Sequence, residues 1–280
     1  MSYKTILVHV DQSPHATARI ELAGRLARSQ EAHLVGAALT GLTMEYYRNS
    51  GLVAAGPMRQ EEVDEIKRNG EQALQRFEML ARAADVSYES RYSDDEPESG
   101  LVQQARYADL VVLSQTDPDT SPFPMLRQLP EHLALHGGRP VLMVPYAGEF
   151  PTLNRHALVA WDASRAATRA VTDALPLLRR SARVTLAVFN PQRPFGAHGE
   201  QPGADIALYL ARHGVTVEVQ QQATPPGIDV GNALLSLAAD TGADLLVMGA
   251  YGHQRWREII LGGVTRRLLQ SMTLPVLMSH

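Results

Sequence analysis

Ala243-Asp244-Leu245-Leu246-Val247-Met248-Gly249-Ala250-Tyr251-Gly252, followed nine residues later by Gly262-Gly263-Val264-Thr265, is the stretch that decides how the chain reads. The run 243–248 is apolar around a single acid and ends in glycine, as a strand buried in a parallel sheet does. Glycines at that end let backbone N–H groups approach a ligand where a Cβ would stand in the way. Gly262-Gly263 then opens a helical pattern (Val264, Leu268, Leu269), so free N–H groups and the positive end of the helix dipole face the same cleft. Strand, glycine turn, second glycine step and helix N-terminus are the parts of a phosphate cradle. No Gly-Lys-Ser/Thr follows, so this is not a Walker A loop. The same glycines could merely end a strand and cap a helix, but two separated glycine steps at this spacing favour a ligand.

The stretch has a counterpart upstream. Ala108-Asp109-Leu110-Val111-Val112 matches Ala243-Asp244-Leu245-Leu246-Val247, and Pro140-Val141-Leu142-Met143 matches Pro275-Val276-Leu277-Met278, both at an offset of 135 (244 − 109 and 275 − 140). Asp11-x-Ser13 likewise matches Asp162-x-Ser164, each pair following an apolar run. The chain therefore reads as two tandem copies of one α/β domain, 1–146 and 153–280, joined by Ala147-Gly148-Glu149-Phe150-Pro151. Strands are expected at 5–11, 33–39, 86–92, 110–113 and 140–144, then at 157–162, 184–189, 215–219, 245–248 and 276–278. Ser13 is the expected N-cap of the first helix, with Pro14 at its first position, and 60–84 and 101–106 are further helices. Strands alternating with helices predict a doubly wound parallel sheet with right-handed crossovers. Its ligand crevice should lie between the ends of strands one and four. The irregular stretch 40–57 reads as a lid, a partner-facing loop or an ordinary long connection.

Gly249, Gly252 and Gly262 fit the spacing Gly-x2-Gly-x9-Gly-(Ser/Thr) of the ATP-binding universal stress proteins, and the chain resembles that family over both halves. Gly263 stands where the family usually has Ser or Thr, and a hydroxyl returns at Thr265. The resemblance implies that each half is an open, five-stranded, Rossmann-like domain of the adenine nucleotide alpha-hydrolase-like type. It implies a pseudo-dimer in which the last strands, 141–144 and 276–278, pair the two halves. It implies ATP as ligand, with Mg2+ held through phosphate oxygens. The adenine side would be met by Ala160, Asp162 and Val188, and the phosphates by Gly249, Gly252, His253, Gly262, Gly263, Val264 and Thr265. Read from the residues alone, Asp162 could equally be a turn acid, Val188 a core residue and His253 a surface histidine. Arg255, Arg257, Arg266 and Arg267 bring positive charge near the cradle or form a solvated face, and Trp256 is a core, lid or interface aromatic.

The shared offset sets the halves apart. Gly249 aligns with Ser114, Gly252 with Asp117, Gly262 with Arg127, Gly263 with Gln128 and Thr265 with Pro130. Asp117 and Asp119 put carboxylates where phosphates would sit, which repels an anion. Pro118, Pro122, Pro124 and Pro130 remove backbone donors. The first half is expected not to hold a triphosphate, leaving Asp11 as its one contact for an adenine-like ligand.

Composition narrows the function classes. The 280 residues are 45% hydrophobic and 20% charged, with net charge −4 and no cysteine. No basic stripe suits nucleic acid, no thiolate can bind metal or form a disulfide, and no apolar run approaches a membrane span. The N-terminus runs straight into a strand without a signal-peptide pattern, so a cytoplasmic protein is expected. Catalytic residues are not evident: Ser164 lacks His and Asp partners, no Gly-x-Ser-x-Gly elbow exists, and the ten histidines are read as scattered, with no metal site. The expected function is an ATP-binding regulatory protein read by a protein partner, with a homodimer left open. The alternatives are a nucleotide-independent scaffold and a slow ATP-hydrolysing or adenylyl-transfer enzyme. The latter class usually carries Ser-Gly-Gly-x-Asp-Ser where this chain has Trp161-Asp162-Ala163-Ser164.

Overall fold

Asp109 and Asp244, the acids shared by the two repeats, do the same work in each. Asp109 Oδ2 accepts the backbone N–H groups of Lys4 and Thr5 at 2.7 and 3.0 Å. Asp244 accepts those of Arg155 and His156 at 3.1 and 2.9 Å, and the Thr152 hydroxyl at 2.7 Å. Each carboxylate thus pins the start of its repeat's first strand to the start of its fourth. Burial alone would raise the Asp244 carboxyl, but these donors, with Arg155 nearby, hold it below its usual range.

The computed structural model describes residues 2–43, 59–117, 119, 129–191, 200–224, 227–250 and 263–280. The chain divides into two compact units, 2–139 and 140–280. The first runs β1 (Thr5–His9), α1 (Ala16–Gln30), β2 (His33–Leu39), α2 (Gln60–Ala83), β3 (Tyr88–Ser93), α3 (Pro97–Ala105), β4 (Leu110–Ser114) and α4 (Leu129–His136). β1 pairs in parallel with β2 and with β4, and β2 with β3, giving the order β3-β2-β1-β4. The second unit runs β5 (Val141–Val144), β6 (His156–Ala160), α5 (Arg165–Leu178), β7 (Arg183–Phe189), α6 (Ala204–Arg212), β8 (Glu218–Gln222), α7 (Val230–Thr241), β9 (Leu245–Gly249), α8 (Gly263–Ser271) and β10 (Val276–Ser279). Here β8-β7-β6-β9-β10 are all parallel, and β5 lies antiparallel to β10 with Leu142 opposite Leu277.

The second repeat therefore has its five expected parallel strands in one sheet. The first has four in the unit 2–139, and its fifth, β5, clusters with 140–280. Central strands are buried on both faces, which is why β4 and β9 read as unbroken apolar runs. The outer strands β3 (YESRYS) and β8 (EVQQQ) are polar and half exposed, which discourages pairing with another chain.

Of the boundaries that differ from expectation, three have a local cause. β8 was expected at 215–219, but Val215 is buried behind α6, its N–H donating to Leu210 O at 2.9 Å, so the strand starts three residues later. α3 starts at Pro97, which takes the first turn of the helix. α1 starts at Ala16 with His15 as N-cap, not at Ser13. The Ser13 hydroxyl donates to Asp11 Oδ1 at 2.6 Å instead of capping.

Candidate functional site

In both units the strand order reverses beside the first strand, so the crevice positions of a doubly wound sheet fall between β1 and β4 and between β6 and β9. Each first strand ends in the same way. The residue after it bonds to strand two (Val10 N–H to Ala37 O at 2.8 Å, Trp161 N–H to Ala187 O at 2.9 Å), and the acid that follows closes a turn. Asp11 Oδ1 accepts Ser13 N–H and Asp162 Oδ1 accepts Ser164 N–H, both at 3.0 Å.

From there the two sites diverge. In the second unit Ser164 caps α5 by accepting Ala167 N–H at 3.1 Å, while Asp162 stays exposed. Asp162 is thus the turn acid that the residues alone allowed, and it leaves a carboxylate facing solvent at the crevice mouth. Ala163 between them has φ 58°, in the left-handed region that side chains disfavour. Ala160 ends β6 half-buried. Gly249 ends β9 under the first turn of α5: a Cβ there would lie 2.5 Å from Ala167 N and 2.6 Å from Ala166 C. Its lack of a side chain is therefore demanded by packing, whatever binds nearby.

Gly263 opens α8, followed by half-buried Val264 and buried Thr265. Val188 is fully buried in β7 and packs beneath Gly203, whose Cβ would lie 3.2 Å from its Cγ2; its side chain belongs to the core. Arg267 is 3.4 Å from Asp229, the N-cap of α7, and Arg266 is exposed. Gly252, His253, Arg255, Trp256, Arg257 and Gly262 lie outside the described residues, as does the stretch 44–58.

The first unit fills the equivalent space with charge. Arg19 of α1 is 1% exposed. Its Nε donates to His9 O at 2.8 Å, Nη1 to Ser114 Oγ at 2.7 Å and Nη2 to Asp11 Oδ1 at 3.0 Å. His15 Nε2 lies 2.8 Å from Asp117 Oδ2, so Asp117 is paired with a histidine. Burial pushes His9 down to about 4; the Asp11 carboxylate opposes this and the Arg19 guanidinium adds to it. Burial would raise Asp11, but Arg19, His9 and the two Ser13 hydrogen bonds outweigh it and hold that carboxyl well below its usual range.

Arg19 is the residue that sequence reasoning missed. The Asp-x-Ser match fixes an offset of 151 (162 − 11), and 19 + 151 places Ala170 at the same point of α5. The histidines are also less scattered than expected: His132 and His136 stand one turn apart in α4 with ring centroids 4.6 Å apart. Among the described residues, no group of three His, Cys, Asp or Glu side chains could hold a metal ion. No helix among them is long and apolar enough to cross a membrane.

Two doubly wound α/β units in tandem, each with an acid-led turn after its first strand, define the class of protein. The universal stress protein family model matches residues 2–145 and 154–280, and the chain belongs to that family. A universal stress protein from Archaeoglobus fulgidus DSM 4304 is similar in structure, with TM-score 0.72 and 17% identity over 98% of this chain and 94% of its own. At that identity the likeness shows the fold alone. A universal stress protein of Synechocystis sp. is 40% identical over 45 residues, 16% of this chain and 16% of that relative's length. A universal stress protein solved in complex with cAMP covers 52% of this chain and 100% of its own, at 23% identity and TM-score 0.36.

Proposed function

We propose that the chain is a cytoplasmic, ATP-binding regulatory protein that holds one nucleotide at the β6/β9 crevice of its second repeat. The observation that supports this most is the asymmetry of the two crevices. Where the first repeat seats Arg19 on Asp11 and Ser114, the second has Ala170, an exposed Asp162 and Gly249. An exposed acid at a strand end suits hydrogen bonding to a base or ribose. The start of α8 at Gly263 and Val264, with Thr265 beside them, puts a helix N-terminus where phosphate would lie. Ala160 would border the base, and Gly252, His253 and Gly262 would complete the phosphate side by their spacing. Mg2+, if it accompanies ATP, would be carried by phosphate oxygens. The bound state would be read by a protein partner that prefers it to the free state.

Gly249 favours a second reading, a nucleotide-independent scaffold, because its packing reason needs no ligand. Native mass spectrometry and calorimetry with ATP, ADP, AMP and cAMP, with and without Mg2+, separate the two. One nucleotide per chain is expected. Asp162→Ala should weaken it about 10- to 100-fold through loss of a charged hydrogen bond. Gly252→Val should abolish it, and Ser114→Ala should leave it unchanged. No binding at millimolar nucleotide would establish the scaffold, and two per chain would overturn the asymmetry.

A further inference from the structure

We propose that Arg19 is a resident ligand of the first repeat: its guanidinium permanently occupies a guanidinium-binding site built across the ends of β1 and β4. The site is made from three separate elements. A strand-end carbonyl (His9 O), a turn carboxylate (Asp11) and a strand-end hydroxyl (Ser114 Oγ) each accept from a different nitrogen of the planar fork, at 2.8, 3.0 and 2.7 Å. A guanidinium this thoroughly buried is costly unless it is paired and its donors are satisfied. Here the Asp11 carboxylate supplies the charge partner, and Ser13, by donating both N–H and O–H to that carboxylate, fixes its direction. Lysine could not replace the fork, since a point charge on a flexible stem cannot reach three divergent acceptors with fixed geometry.

The second repeat supplies the contrast. Ala170 stands at the position of Arg19, and Asp162 is exposed with Ser164 N–H on its carboxylate. Both turns place the serine N–H on the acid, but only in the first do the serine hydroxyl and a guanidinium also meet the carboxylate. The first repeat thus carries, covalently, a bridge between its first and fourth strands, the same two elements that a ligand in a doubly wound crevice would join. The inference stands whether or not the second repeat binds nucleotide, because no nucleotide enters its test.

The test uses the full chain. Arg19→Ala should lower Tm by roughly 10 °C, since it empties a buried site and takes from the half-buried Asp11 carboxylate its guanidinium partner. Millimolar ethylguanidinium should recover part of that loss in Arg19→Ala and nothing in the unsubstituted protein, while tetramethylammonium at equal concentration recovers none. A folded Arg19→Ala whose Tm is unchanged, or which ethylguanidinium fails to raise, would overturn the proposal. Where Arg19→Ala does not fold, the unsubstituted protein still decides. Its nitrogen-15 NMR spectrum at pH 8 should retain an arginine Nε–H protected from solvent exchange, and Arg19→Lys should remove that signal. Absence of any protected arginine Nε–H overturns the site.

Discussion

Ala163 holds φ 58° between the acid and the cap of the second crevice. The left-handed region costs an alanine about 1–2 kcal/mol, a cost glycine largely escapes. Ala163→Gly should therefore stabilise the protein by up to about 1 kcal/mol, after the greater freedom of glycine in the unfolded chain is set against the relief. Equilibrium urea unfolding checks this, and a loss of stability would mean that the turn is not strained. His9 gives a pH dependence. Its folded value is lowered from 6.5 to about 4, chiefly by burial. Above pH 6.5 neither state is protonated and stability is full. As pH falls through the window from 6.5 to 4, the unfolded chain takes up a proton that the folded one refuses, so stability drops, by at most roughly 3 kcal/mol. His9→Leu should flatten that slope, which denaturation curves at several pH values would show. At this scale the places of Asp162 and Gly249 at strand ends were legible, because an acid and a glycine after an apolar run stand out in a sequence. Arg19 was not, because an arginine on an amphipathic helix ordinarily keeps its charge in water, and only the comparison with Ala170 marks the difference.

The start of α5 rests on the end of β9, and Gly249 is where they meet. Gly249→Ala would drive a Cβ to 2.5 Å from the Ala167 nitrogen, against backbone that cannot swing aside. A loss of about 2–3 kcal/mol is expected, at the upper end for overpacking. Thermal or urea unfolding of the variant measures it, and an unchanged midpoint would mean that the contact is looser than 2.5 Å implies. The same contact explains why the two repeats begin their first helices differently. α5 starts directly after its Ser164 cap, whereas α1 starts two aligned positions later, after His15, and the partner strand there ends in Ser114. Periodicity located the strands and the helices α1, α2, α3 and α8, but not these offsets. Whether a serine caps a helix or turns to its neighbouring acid depends on that acid's other partners, and here Asp11 had been drawn to Arg19. β8 slipped for a similar reason: Val215 reads as a strand residue by type, yet burial behind α6 claims it.

On the scale of the whole chain, the tandem α/β plan was legible because a fixed offset of 135 carries the same strand-and-acid pattern twice. The family resemblance, and not the repeat, implied that 141–144 pairs with 276–278, as β5 does with β10; that β5 clusters with residues 140–280 was not expected. That placement predicts how pieces of the protein behave. A fragment 140–280 keeps β5 on the edge of β10 and should be monomeric, whereas 147–280 bares that edge and should self-associate, as size-exclusion chromatography with light scattering would report. Equal behaviour of the two would mean that β5 does not protect β10. The aspartates at the base of the sheets have a consequence of another kind. Asp109 reaches back 105 residues to Lys4, and Asp244 reaches back 88 to His156. The strand at the centre of each sheet is thus made early in its repeat and secured on its second side only when the fourth strand has emerged. A chain that must close spans of this length before its central pairing pays back should be a slow folder, its pace set by entropy of closure rather than by the speed of its helices.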